Sequence, residues 1–61
     1  SLDGAAAEDF YSLADLQWRA GSPEQAETAV RRALQLDPNH GRGRELLARL
    51  QAGEVPEVLR R

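Results

Sequence analysis

The chain of 61 residues contains no cysteine and no methionine, and it has only one each of Trp, Tyr and Phe. It also lacks lysine and isoleucine. Without cysteine there is neither a disulfide framework nor a thiolate zinc site, the staples that small domains often use, and the redox compartment stays open. The longest apolar runs are Ala5 to Ala7 and Leu46 to Ala48, far below the roughly 20 residues of a membrane span, and no signal-peptide pattern precedes the first. The chain therefore reads as soluble, with no membrane partner and the cytoplasm as default compartment. Beginning at Ser1 and lacking Met, it is expected to be a segment of a longer protein. Leu, Val and Phe together number 13 of 61 residues, and a domain of this size hides only about 60% of the surface its unfolded chain exposes. Stability must come from efficient packing or from neighbours.

Positive charge is scarce in one half. Residues 1–30 carry six acids against Arg19 alone, a net charge of −5, whereas residues 31–61 carry seven Arg against four acids, a net charge of +3. The total of −2 argues against a nucleic-acid or anionic-membrane binder, which needs excess cation to neutralise phosphate. The split is consistent either with ordinary solvated faces or with oriented docking in a longer array.

Turn residues divide the chain at Gly21-Ser22-Pro23, at Asp37-Pro38-Asn39 and at Gly53 with Pro56. No stretch between them alternates as a strand does, so the fold class is all-α. The first helix is expected over about Ala5 to Ala20, with Phe10, Leu13, Ala14 and Gln17 as its apolar stripe and acids toward its N-terminus, where the helix dipole favours them. Gly21 suits the left-handed position past a helix end. Ser22, Pro23 and Gln25 form a capping-box pattern for the second helix, which runs to about Leu36 and buries Ala26, Ala29 or Val30, Ala33 and Leu34 or Leu36. Alanines seven apart, Ala26 and Ala33, allow a close antiparallel hairpin. A third helix is expected from about residue 41 to Ala52 on Leu46, Leu47 and Leu50, stopping at Gly53, and the tail 53–61 offers a fourth helix start at Pro56.

Over residues 7–40 this pattern resembles a tetratricopeptide repeat, a 34-residue helix–turn–helix unit. Phe10 stands at the aromatic position, Leu13-Ala14 at Leu-Gly, Gly21 at the turn, Ala26 and Ala33 at the spaced alanines, and Ala33-Leu34-Gln35-Leu36-Asp37-Pro38-Asn39 closes the unit. Gln17 replaces the usual Tyr and Val30 the usual Phe, which reduces packing volume. A 34-residue shift superposes Leu13-Ala14 on Leu47-Ala48. Arg44 falls at the aromatic position of this second copy, so the third helix resembles the capping helix that closes such arrays. The resemblance implies a single domain over 1–61, a hairpin plus a capping helix, and a non-catalytic protein-interaction role. It places Glu8, Tyr11, Asp15, Trp18 and Arg19 on the concave groove. Tyr11, Asp15, Trp18 and Arg19 are the candidate protein-binding residues, because aromatic and Arg side chains dominate interface energetics.

Trp18 has two readings, a groove contact or a core residue beneath the third helix, since so small a domain can rarely expose its only Trp. Some members of the resembled family hold peptide C-terminal carboxylates with Lys, Arg and Asn; here Glu8 and Asp15 oppose such a ligand, so a basic or apolar segment is the expected partner. Arg42 and Arg44 alternate with Gly41 and Gly43, but no strand precedes them and no Lys-Ser or Lys-Thr follows, so a solvated turn is preferred over a phosphate loop. His40 stands alone and is expected to serve in a loop or cap, without metal. Ser1, Ser12, Ser22, Thr28 and Tyr11 have no base and orienting acid in a workable order, and Glu8 and Asp9 diverge around the helix, so no catalytic residue and no cofactor are expected. The expected partner is another protein or peptide. Two further readings are self-association, with a homodimer as its simplest form, and a recruiting arm of a larger enzyme such as a methyltransferase or thioredoxin-like protein.

Overall fold

The computed structural model describes the backbone of residues 2–60 and the side chains of residues 5–60. Ser1, considered above as a nucleophile, and the charged side chains of Asp3 and Arg61 lie outside the described residues. The described chain forms α1 (Leu2–Arg19), α2 (Pro23–Leu36), α3 (Gly41–Gln51) and a short 3₁₀ turn (Glu57–Leu59), with no strand among the described residues. α1 starts three residues before the expected Ala5.

α1 ends because Gly21 takes φ +87°, a conformation that costs other residues strain. The turn is a Schellman motif: the Ser22 amide donates to the Gln17 carbonyl at 2.8 Å and the Gly21 amide to the Trp18 carbonyl at 3.1 Å, which satisfies carbonyls the helix leaves unpaired. That same motif cancels the expected capping box. The Ser22 amide that Gln25 would have accepted is already spent on Gln17, and no side chain caps α2. Pro23 still begins the helix, where its missing N–H is no loss. Gly53, with φ +73°, ends α3 in the same way through Glu54 to Arg49 at 3.0 Å and Gly53 to Leu50 at 3.1 Å. Between α2 and α3 the Asp37 side chain accepts from the Asn39 amide at 3.1 Å, and the Asp37 carbonyl accepts from the His40 amide at 3.1 Å. Pro38 presets the turn between them.

α1 and α2 pack as an antiparallel hairpin, and α3 lies against both. The hairpin buries Ala7 and Ala14 on one helix and Ala26, Ala29, Val30 and Ala33 on the other, so the small residues that permit close approach stand on both sides of the seam. Leu46 and Leu50 of α3 join the same core as Ala14, Trp18 and Val30, with Tyr11 and Leu47 packed against it. The Cα trace measures 40 × 17 × 15 Å, about two helix layers thick, which is why so few side chains are fully enclosed.

The buried stripe of α1 differs from the expected one. Ala7, Ala14 and Trp18 are buried, whereas Phe10 and Gln17 are half-buried and Leu13 is 45% exposed. Both stripes share Ala14 and both have helical spacing; α3 covers only the one that carries Trp18. The tail also departs from expectation. Pro56 is buried, but the segment after it makes only the single 3₁₀ turn and not a fourth helix.

Candidate functional site

α1 and α3 form the two walls of a groove of about 200 Å³, lined from α1 by Tyr11, Asp15, Trp18 and Arg19. These are the four residues singled out from the sequence, and their spacing of four, three and one brings them to one side of a helix. α3 adds Arg42, Glu45, Leu46 and Arg49, which the sequence reading missed. A signal was available: positions 42, 45, 46 and 49 share one helical face, flanking the Leu46–Leu50 stripe. The groove charge therefore changes from the reading based on α1 alone, because α3 brings two guanidinium groups and the Glu45 carboxylate to it.

Trp18 forms the floor. It is only 6% exposed, packs in the core with Leu46 and Leu50, and its Nε1–H donates to the Glu54 carbonyl at 3.1 Å. Of its two readings the structure therefore places the ring in the core, with its edge reaching the groove. A buried indole needs an acceptor for its N–H, and the turn after α3 supplies one. Asp15 and Arg19 pair across one helical turn at 3.2 Å, and Arg49 pairs with Glu45 at 2.7 Å.

The other end of the groove is closed by a four-residue network. His40 caps α3: its Nδ1 accepts from the Gly43 amide at 2.9 Å, so the ring proton resides on Nε2 and faces Glu8 Oε2 at 2.6 Å. Arg42 donates to the other Glu8 oxygen, and its guanidinium lies 5.1 Å from the centre of the Tyr11 ring, within cation–π range. Tyr11 and His40 rings are 5.2 Å apart. The bond from His40 to the ionised Glu8 carboxylate holds that carboxyl below its ordinary range, with the Arg42 charge acting in the same direction against partial desolvation. Gly43 leaves room beside this cap, since a Cβ there would sit 3.0 Å from His40 Nδ1 and 3.4 Å from Leu34 Cδ2. Arg42 and the Gly43 amide are thus engaged by other groups of the chain.

A second, more apolar groove of about 360 Å³ lies on the far side of the hairpin, between Phe10, Leu13 and Gln17 of α1 and Thr28, Ala29 and Arg32 of α2. The Gln17 side-chain oxygen is buried there with no hydrogen-bond partner. Among the described residues no group of three or more His, Cys, Asp or Glu is placed to hold a metal ion, and no helix is long and apolar enough to cross a membrane.

A short-turned helical hairpin with a further helix stacked on it, joined through spaced alanines, defines an α-helical repeat unit. The family model of the tetratricopeptide repeat matches residues 7–50. The chain belongs to the tetratricopeptide repeat family. No curated protein and no solved structure gives a match. Repeats of this family generally mediate protein–protein interaction and are typically non-catalytic.

Proposed function

We propose that this chain is a protein-interaction module that receives a segment of another protein in the groove between α1 and α3, with Tyr11, Asp15 and Arg19 as contacts and Trp18 as the floor beneath them. The observation that carries this reading is the convergence of all four residues on one groove whose opposite wall is polar and chargeable. A buried aromatic floor rimmed by charged side chains combines desolvation with directional contacts. In this reading the single domain spans 1–61 and α3 closes the repeat; a recruiting arm of a larger enzyme would use the same face. The test is selection of peptides from a random library, followed by NMR titration of the tightest. Shifts confined to Tyr11, Asp15, Arg19 and the Trp18 indole N–H are expected. Shifts centred on Phe10, Leu13 and Thr28 would overturn the assignment.

Self-association is the second reading, favoured by exposed apolar side chains on two separate elements of the unit. Leu13 and Leu16 are exposed on α1, and Val55, Val58 and Leu59 on the tail. One patch meeting the other would be a heterologous contact, which propagates unless the rotation closes. Sedimentation equilibrium over a wide concentration range distinguishes the two: a constant monomer mass removes this reading, and a rising mass that Leu16→Glu abolishes supports it.

A further inference from the structure

No residue of α3 lines the apolar groove on the far side of the hairpin, which runs between Phe10 and Leu13 of α1 and Thr28 and Arg32 of α2. Two charges flank Thr28 there, Glu24 one turn before it and Arg32 one turn after it. The three share a stripe, since residues four apart stand one above the other on a helix, and the Thr28 hydroxyl donates to the Glu24 carbonyl at 3.2 Å. All three are exposed. Among the described residues neither Glu24 nor Arg32 forms an ion pair, although Arg19, Arg31, Arg42, Arg49 and Arg60 all do. Eight residues separate the two charges by about 12 Å along the helix, too far for them to pair with each other.

This pattern is opposite in sign on either side of its midpoint, so it complements its own reversal. A twofold axis lying in the face and crossing α2 at Thr28 sets Glu24 against Arg32 of a second copy and Arg32 against Glu24 of that copy. The other helix has the same centre. In an antiparallel hairpin turning at Gly21-Ser22, Thr28 stands level with about Asp15, and the exposed Leu13 and Leu16 bracket that level. The same axis therefore brings Leu13 of each copy against Leu16 of the other. The remaining charges nearby do not oppose this register: the reversal places exposed Asp9 against Ala20, and Arg31 is held by Glu27 at 2.8 Å on the next stripe.

We propose that the far face of the hairpin is an isologous interface for a second copy of this chain, with α2 antiparallel on α2, α1 on α1, and two Glu24–Arg32 pairs fixing the register around a Leu13–Leu16 contact. The proposal rests on the self-association reading above and gives it a closed form, because a patch that meets itself stops at two chains whereas a patch that meets a different one propagates. Charge complementarity sets the register and excludes the parallel arrangement, which would place Glu24 on Glu24 and Arg32 on Arg32. The α1–α3 groove of each copy stays open in this dimer.

Leu16→Glu breaks either form of self-association, so charge reversal is the deciding experiment, read by sedimentation equilibrium at low ionic strength with circular dichroism to check that each variant folds. The wild type should pass from one chain to two with concentration and stop there. Glu24→Arg and Arg32→Glu each make both intermolecular pairs repulsive and should weaken dimerisation about tenfold. Arg44→Glu, the same charge change on α3, should leave it unaltered. An equimolar mixture of the Glu24→Arg and Arg32→Glu chains should dimerise at least as well as the wild type, since every pair in the mixed dimer is attractive. Glu24→Arg brings the net charge of −2 to neutral, so overall attraction between the two variants does not account for that recovery. A mixture that associates no better than either variant alone overturns the interface. A mass that climbs beyond two chains overturns the closed dimer and leaves the heterologous contact standing, whereas a constant monomer mass removes the dimer and the self-association reading together.

Discussion

Where α1 meets α2, the buried side chains are alanines on both helices together with Val30; where it meets α3, Trp18 and Tyr11 pack with Leu46, Leu50 and Leu47. Small residues let the axes approach and fill the seam with backbone and methyl groups, so no polar link is needed. Large side chains hold α3 further off. That contact is tied at one end by Glu8, His40 and Arg42 and at the other by the Trp18–Glu54 hydrogen bond. The hairpin is thus a close-packed unit; α3 packs mainly on α2 and meets α1 through a few large side chains and two polar ties, the arrangement in which a groove forms.

The sharpest way to break the contrast is Trp18→Ala. Removing a buried Trp costs about 3–5 kcal/mol, comparable to what a core of this size supplies in total, so cooperative thermal unfolding followed by circular dichroism should disappear. A preserved transition would show that α3 is held by something other than Trp18. Ala26→Leu attacks the other seam and should overpack it by about 1–3 kcal/mol, read as a lower urea midpoint; a wild-type midpoint would deny the close approach. Gly21→Ala and Gly53→Ala each force a side chain into the left-handed region, at about 1–2 kcal/mol. The first should lower the melting temperature of the whole hairpin, and the second should chiefly speed hydrogen exchange at the Trp18 indole N–H, which is bonded to the turn that Gly53 makes.

The smallest effect is a titration. Because Glu8 has a depressed carboxyl pKa in the folded chain, its contribution is fully present above the unfolded carboxylate range and is lost as pH falls through its folded value. Melting temperature should therefore fall on acidification more steeply in the wild type than in Glu8→Gln. Parallel acid limbs would mean that the Glu8–His40 tie contributes nothing to α3.

Much of the fold was legible because its signals are local. Gly21, Gly53 and Pro38 act through their own backbone geometry, and the inward face of α2, with Ala26, Val30 and Ala33, follows from a 3.6-residue period in one helix. The capping box at Ser22 and Gln25 was legible too, yet a competing backbone bond to Gln17 displaced it. The face of α1 was not decidable locally, since the Phe10–Leu13–Gln17 side and the Ala7–Trp18 side are both apolar enough and share Ala14. Nor could His40 be matched with Glu8 across 32 residues, or Glu54 with Trp18 across 36.

By itself, then, the amino-acid order determined the three helices, their C-terminal ends, the family and the side of α1 on which Tyr11, Asp15, Trp18 and Arg19 gather, because left-handed glycines and periodicity act within a few residues of chain. Only the tertiary structure decided which apolar side of α1 is buried, that Trp18 is a floor, and that the groove carries Arg42 and Arg49 from α3. Those outcomes depend on where a third helix comes to rest, and that is set by the volumes of Trp18, Leu46 and Leu50 and by polar ties between residues more than 30 apart.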